Sequence, residues 1–430
     1  MKDKVILYGA GNNAGKAIKY LDSLTNGDKV TKNYEIVGFV DKDPAKWGKT
    51  CNGFEVRRFE DVDSSSNYYW FITPSEPARG DIQYYLEING IKKDKIIGYK
   101  DYQNGDEYVS CYSLENVAIV DHNAIYSCCL LNEELRNYSP LVRFEDCNYD
   151  MEKTVEQFLN RRKQIITALR AREENPCEGC SELRYGKWGG GDKITELAIS
   201  PSVPCQIACE YCNIISNAKN IFNHQKEVNR ALKFDIVEFV KTLEHMDVLE
   251  PSQPIQLSAG EITVNKNKKE ILDYLRKYPL QIFSNCVLYD EQISELCAHD
   301  RSFLNASIDA GTRDTYHKVK GIDAWDRVNE TLKKYSENGC NIELKYIIMP
   351  DNSDDSDLEG FMNLCKKIKP QNINISCDLN IKPNEISEKM IDAAIFIAKK
   401  SNEYGLAYRI LPYFGEKNMN KIKKGIDNEK

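Results

Sequence analysis

The segment SPSVPCQIACEYCNI, residues 200–214, sets cysteines at positions 205, 209 and 212. Thiolates are metal ligands, and three so close together can wrap one face of a compact metal centre. Two centres accept such a loop. A structural zinc would close its tetrahedron with a fourth ligand from a distant part of the chain, because no further Cys or His lies close by. A [4Fe–4S] cluster held only by Cys205, Cys209 and Cys212 would leave one iron open, and an open iron binds something that can react. The chain holds fifteen cysteines. At 430 residues it is too large to need a disulfide framework. The solitary Cys286, Cys297, Cys340, Cys365 and Cys377 read as small buried hydrophobes.

Polar groups recur downstream wherever an apolar segment ends. LSAGEIT brings Gly260 and Glu261, IFSNCVLYD brings Ser284 and Asn285, and NASIDAGTRDTYHKVKG brings Ser307 and Asp309. A carboxylate such as Glu261 at a strand end suits an ammonium ligand. The cysteine loop and these strand ends, in this order, resemble the radical S-adenosylmethionine (SAM) superfamily. Its signature is CxxxCxΦC with an aromatic Φ, and Tyr211 holds that place. The resemblance covers about residues 193–380. It implies a [4Fe–4S] cluster on the three cysteines whose open iron is chelated by SAM. It further implies that an electron from the cluster cleaves SAM, giving a 5′-deoxyadenosyl radical that abstracts hydrogen from a substrate. An electron donor such as flavodoxin or ferredoxin is implied with it. Residue by residue, Gly260 and Glu261 would meet the SAM amino group, with Ala259 where the family carries a first glycine. Ser284 and Asn285 would lie near ribose or substrate. Ser307 and Asp309 would face the cavity, Ser307 toward a ribose hydroxyl, and backbone at Ile347 to Met349 would flank adenine. His317, in the same stretch, reads as a surface residue.

These residues must be positioned by alternating elements. From residue 193 onward strands and helices alternate as about six or seven β/α units, which predicts a parallel barrel or partial barrel with its chemistry at the strand C-terminal ends. The resemblance makes this a partial (β/α)6 barrel over residues 193–400, leaving 401–430 as a polar tail. The overall class is α/β. Residues 1–105 open with KVILYGAGNNAGKAIKYL, a strand, a glycine turn and a helix, and predict a Rossmann-like domain. Gly9, Gly11 and Gly15 would let a phosphate approach the helix N-terminus, and Asp41, closing the second strand, could bond a ribose. This segment also resembles the N-terminal domain of bacterial sugar acyltransferases, which implies a nucleotide or nucleotide sugar there. A glycine turn without a ligand remains the plain alternative. Residues 106–192 read as a connecting region: NVAIVDHNAIYSCCLL as a strand pair or an extension of the first domain, then a long helix over about 151–175. Cys177 and Cys180 form a C-x2-C pair that could hold an auxiliary cluster or zinc, with Cys128, Cys129 or Cys147 as further ligands. YGKWGGGD reads as a linker or a lid.

Composition narrows the function classes. Lys plus Arg is 58 and Asp plus Glu is 66, a net charge of −8, which argues against a dedicated nucleic-acid binder. No apolar run has the roughly 18 residues of a membrane span. MKDKVILYGAGNNAGK breaks its apolar run too early for a signal peptide, so a cytoplasmic protein is expected. The expected activity is radical SAM chemistry on a small molecule or a carrier-linked one, with a nucleotide- or carrier-linked sugar as the leading substrate. Peptide modification is the second enzymatic reading. A metal-binding nucleotide sensor without catalysis is the alternative from another class.

Overall fold

A computed structural model describes residues 2–11, 13–26, 34–63, 67–74, 78–97, 107–128, 140–171, 173, 175–177, 180, 183–200, 205–212, 233–258, 260–299 and 301–427. The chain divides into two compact units. The first comprises residues 1–115 and 159–192, the second residues 116–158 and 193–430.

In the first unit, β1 (Asp3–Tyr8), α1 (Ala14–Asn26), β2 (Tyr34–Val40), β3 (Thr50–Cys51), β4 (Phe54–Arg57), β5 (Tyr69–Ile72), α2 (Ala78–Ile88) and β6 (Ile96–Ile97) follow one another. They build a six-stranded sheet in the order β3-β4-β2-β1-β5-β6, parallel except for β3 against β4. Successive side chains on a strand point to opposite faces. Val5 and Leu7 accordingly pack with Ala14, Ala17 and Leu21 of α1, while Ile6 and Tyr8 pack with Trp70, Ile82 and Leu86 on the α2 side. Both faces are covered, so the strands are apolar throughout. The unit also holds β7 (Glu107–Ser110) and most of α3 (Tyr112–Asn116). β7 pairs antiparallel with β11 (Arg184–Lys187).

In the second unit, β8 (Val117–Val120), β9 (Ala124–Tyr126) and β10 (Val142–Arg143) precede α4 (Met151–Ala171), whose residues 159–171 count with the first unit. Then follow β12 (Glu196–Ile199), α5 (Ile236–His245), β13 (Ile255–Leu257), α6 (Lys268–Leu275), β14 (Leu280–Ser284), α7 (Glu291–Ala298) and β15 (Phe303–Ser307). The unit ends with α8 (Arg313–Lys320), α9 (Trp325–Glu337), β16 (Ile342–Ile348), α10 (Asp355–Ile368), β17 (Asn372–Cys377), α11 (Glu388–Glu403), β18 (Tyr408–Ile410) and α12 (Glu416–Asp427). Their ten-stranded sheet runs β10-β9-β8-β12-β13-β14-β15-β16-β17-β18. Every pair from β8–β12 to β17–β18 is parallel.

The helices follow ordinary rules. α9 buries Val328, Thr331, Leu332 and Tyr335, the i, i+3, i+4, i+7 stripe of an amphipathic helix. Asp235 accepts from the N–H groups of Val237 and Glu238 and starts α5. Thr312 caps α8, which stops at Gly321 with φ +69°. One face of the sheet is apolar: Ile282, Leu304, Ala306 and Leu344 are fully buried on it, and Tyr346 meets Phe361 of α10 with ring centroids 4.5 Å apart. The other face carries Glu196, Gln256, Asn305, Glu343, Lys345 and Asn374, tied by bonds such as Gln256 to Glu196 at 3.3 Å.

Two expectations change here, and one open alternative is decided. Residues 106–192 do not form one connecting region but are divided between the units. The NVAIVDHNAIY stretch is a strand pair of the second unit, not an extension of the first, because β8 finds a parallel partner in β12. The expected polar tail at 401–430 contains β18, which extends the sheet, and α12, whose Ile422 is fully buried. Its high polar content hid one apolar stripe. Among the described residues, no helix is long and apolar enough to cross a membrane.

Candidate functional site

The cysteine loop follows β12 and is held from below by the end of α8. Ala208 N–H donates to the Lys320 carbonyl at 3.1 Å, and Glu210 N–H to the Val319 carbonyl at 2.9 Å. Gly321 makes that approach feasible: a Cβ there would lie 2.7 Å from the Ala208 oxygen. Cys212 N–H closes a turn onto the Cys209 carbonyl. Desolvation raises the Cys205 thiol to about 11, opposed by the Ile207 N–H and reinforced by Glu261 and the other two thiols. Cys209 is also raised by burial, with the Lys320 ammonium opposing. Cys205 thus lies within electrostatic reach of Cys209 and Cys212, and Cys209 of Cys212.

Tyr211 anchors the loop. Its hydroxyl donates to Asp309 Oδ2 at 2.6 Å and accepts from Lys320 Nζ at 2.8 Å. Lys320 Nζ also pairs with Asp309 Oδ2 at 2.5 Å, and both side chains are essentially excluded from solvent. Burial works against the Lys320 charge, but Asp309 and the nearby thiols prevail and raise its pKa. Asp309, expected to face a cavity, instead has its carboxylate committed, since Oδ1 accepts the Ile347 N–H at 2.6 Å. The Tyr211 ring packs on Val319, Ile347 and Met349.

Glu261 is a second buried hub. Its carboxylate accepts from Thr263 N and Oγ1, from Ser284 Oγ at 3.1 Å and from Asn285 N at 2.8 Å. Burial nevertheless leaves its pKa raised. Preceding it, Gly260 has φ +68°. The Asn285 amide then reaches Cys205 Sγ at 3.8 Å and Gln206 Oε1 at 3.3 Å. Glu261, Ser284, Asn285 and Cys205 thus form one chain of contacts across the ends of β13 and β14. Ser307 is half-buried at the end of β15, in register with Lys345. Ala259 lies outside the described residues. His317 is exposed on α8.

In the first unit, Gly9 is required: it has φ +108°, and a Cβ would meet Pro74 Cδ at 2.6 Å. Gly11 is exposed and Gly15 lies in the first turn of α1. Asp41, expected to reach a ribose, has both carboxylate oxygens engaged by the protein itself. Oδ2 accepts from Ala10 N at 2.8 Å and Lys46 Nζ at 2.8 Å, and Oδ1 from Asp43 N at 2.9 Å. It holds the glycine turn shut against the next loop. Cys177 and Cys180 sit on one turn, the Cys180 N–H donating to the Cys177 carbonyl. Cys147 is buried against Gln157, Cys128 is exposed, and Cys129 lies outside the described residues. Among the described residues, no three His, Cys, Asp or Glu side chains are drawn together around a single-ion position.

The radical SAM superfamily model matches residues 199–365, from the last residue of β12 into α10. This stretch is a radical SAM enzyme domain. A second model, C2185-like, N-terminal, matches residues 1–97. The chain is similar to a GTP 3′,8-cyclase of Clostridium perfringens (strain SM101 / Type A), 24% identical over 182 residues, 41% of this chain and 53% of that protein. It is similar also to a probable GTP 3′,8-cyclase of Saccharolobus islandicus (strain Y.N.15.51 / Yellowstone #2), 24% identical over 162 residues, 37% of this chain and 49% of the other. The chain spans about half the length of these curated relatives. Streptococcus suis SuiB bound to S-adenosylmethionine aligns over 60% of this chain and 53% of its own, at a TM-score of 0.40 and 14% identity.

Two residues of the radical SAM domain carry no motif that singles them out in sequence. Lys320 is one, although a pattern betrays it: Tyr316, Val319 and Lys320 share the buried stripe of α8, where a lysine needs a partner. The other is Tyr316, fully buried, whose hydroxyl has no hydrogen-bond partner among the described residues. Burial raises it, and Cys286, Cys209, Asp309 and Cys205 add to the shift.

Proposed function

We propose that this protein is a radical SAM enzyme whose cluster is held by Cys205, Cys209 and Cys212. The donor set fits a [4Fe–4S] centre. Three thiols share one loop, an Asn285 amide N–H approaches the first, and the Tyr316 hydroxyl is a buried donor that lacks an acceptor among the described residues. Such an orphaned group costs about 1–3 kcal/mol, and a sulfide-rich centre beside Cys209 would offer one. When bound, the cluster supplies the electron that cleaves SAM. The chain's own residues do the rest. Tyr211, Asp309 and Lys320 fix the loop, Glu261 fixes the ends of β13 and β14, and Ser284, Asn285 and Ser307 offer polar groups to SAM or substrate from the same strand ends.

The observation that carries this reading is the anchored loop: Tyr211 bonded to the buried Asp309–Lys320 pair at the C-terminal ends of a parallel sheet. The substrate class is a small molecule of nucleotide or carrier-linked sugar type. Two things support it, the names of the GTP 3′,8-cyclase relatives and the wound parallel sheet of residues 1–97, read as Rossmann-like and sugar-nucleotide-binding. A flavodoxin or ferredoxin would deliver the electron in the cytoplasm, and the Cys177–Cys180 turn remains a candidate for a second metal.

Anaerobic reconstitution with iron and sulfide, followed by dithionite and SAM, tests the reading. Wild-type protein should release 5′-deoxyadenosine and Cys209→Ala should not. Equal nucleoside from both proteins, or zinc bound in place of iron, would reject it.

A further inference from the structure

The polar face of the second sheet is built as a row. On β15, β16, β17 and β18 the register sets Ser307 beside Lys345, Lys345 beside Asn374, and Asn374 beside Arg409. One step toward the strand N-termini, Glu343 Oε2 accepts from Asn305 Nδ2 at 3.2 Å and from Asn374 Nδ2 at 2.8 Å. Arg409 donates to Asn374 Oδ1 through Nε at 3.2 Å and a terminal nitrogen at 2.9 Å. Two features of this row lack partners among the described residues. Among the described residues the Lys345 ammonium has neither a hydrogen bond nor an ion pair; burial lowers its pKa, opposed by Asp309 and reinforced by Lys320. Asn305 is 2% exposed, and its Oδ1 has no partner among the described residues. A half-buried cation without an anion and a buried acceptor without a donor are both costly. They occur on one face of adjacent strands, two residues along from Ile347, on which Tyr211 of the cysteine loop packs.

We infer that Lys345 and Asn305 form a substrate subsite for an anionic small molecule, whose phosphate or carboxylate pairs with Lys345 and whose neighbouring O–H or N–H donates to Asn305 Oδ1. Arg409, two strand spacings or roughly 10 Å from Lys345 along the row, is the outer cation that draws the anion in. Asn374 between them keeps both cations in register, and Glu343 holds the Asn305 and Asn374 amides so that the Asn305 oxygen faces the ligand. The word substrate rests on the radical SAM reading; the anion subsite does not.

The test is calorimetric titration of the reconstituted protein with inorganic phosphate, with acetate, and separately with SAM. Saturable binding of phosphate or acetate is expected, and the better probe shows which anion the subsite takes. Lys345→Met should weaken it about tenfold or more, the loss of one charge-assisted hydrogen bond, while Lys345→Arg stays within about threefold. Should Lys345→Met fail to fold, Asn305→Leu takes its place, scored by the affinity for ribose 5-phosphate relative to inorganic phosphate. The ribose hydroxyls should add affinity in wild type and none in that variant. Absence of saturable anion binding by wild type overturns the inference, as does unchanged binding in Lys345→Met. It is overturned too if Lys345→Met weakens SAM and leaves phosphate untouched, which would assign the lysine to the carboxylate of SAM. Protein that binds phosphate through Lys345 but forms no 5′-deoxyadenosine would retain the subsite and reject the radical chemistry.

Discussion

Lys320, Asp309 and Tyr211 form a buried charge pair with a phenol across it, and the second unit should depend on them strongly. Removing one member of such a pair leaves an uncompensated charge and costs about 3–5 kcal/mol. Lys320→Met should lower stability by that amount in guanidinium denaturation, and combining it with Asp309→Asn should restore part of the loss. Tyr211→Phe removes only hydroxyl bonds and should cost about 1–2 kcal/mol. If the lysine variant instead unfolds like wild type, the pair is not what holds the loop. At this scale the sequence was informative about metal chemistry and uninformative about support. Cys205, Cys209 and Cys212 are legible because few functions need three thiols so close. The aspartates at 41 and 309 show what the sequence omits, because their carboxylates accept from backbone N–H groups and lysines that only the fold brings near.

The loop before α8 docks on α10 through glycine. A Cβ on Gly311 would lie 1.8 Å from the Asp357 oxygen and 2.3 Å from the Phe361 nitrogen of α10, and Gly360 faces it with similar closeness. Backbone against backbone cannot yield, so Gly311→Ala should destabilise the second unit by about 3 kcal/mol or more. Thermal unfolding measures this, and a Tm equal to wild type would contradict the packing. Gly321→Ala acts on a different readout. Its Cβ would press on Ala208, so iron incorporation per chain after reconstitution should fall while the sheet persists in circular dichroism. Deleting residues 411–430 should also destabilise the second unit, because α12 buries Ile422 completely and a buried Ile alone contributes about 1.5–3 kcal/mol. Most of these elements were readable from periodicity in the sequence. Among those missed, β18 and α12 are short or polar, and their places come from strand pairing and one apolar stripe that composition dilutes.

Across the whole chain, two units with separate cores need not unfold together. Trp47, Trp70 and Trp188 lie in the first and Trp325 in the second, so fluorescence of a Trp325→Phe protein reports the first alone. Burial pushes Asp41 up, but bonds from Lys46, Asp43 and Ala10 prevail and hold it below its ordinary 3.8. Its stabilisation is therefore present above the usual carboxylate range and disappears as pH falls through the lowered folded value. Asp41→Asn should flatten the acid limb of that fluorescence transition and leave the Trp325 signal in the parent protein unmoved. The alternation of strands and helices was visible in the sequence, but the division of residues 106–192 was not, since it depends on which distant strand β8 selects. That choice has a consequence for synthesis. The sheet within residues 1–97 can close as soon as it leaves the ribosome, whereas β8 must wait from Val120 to Glu196, roughly 4–15 s at about 5–20 residues per second. During that interval its hairpin with β9 is made and its other edge is bare, which makes this the moment when a nascent chain of this protein is most exposed to mispairing and to capture by chaperones.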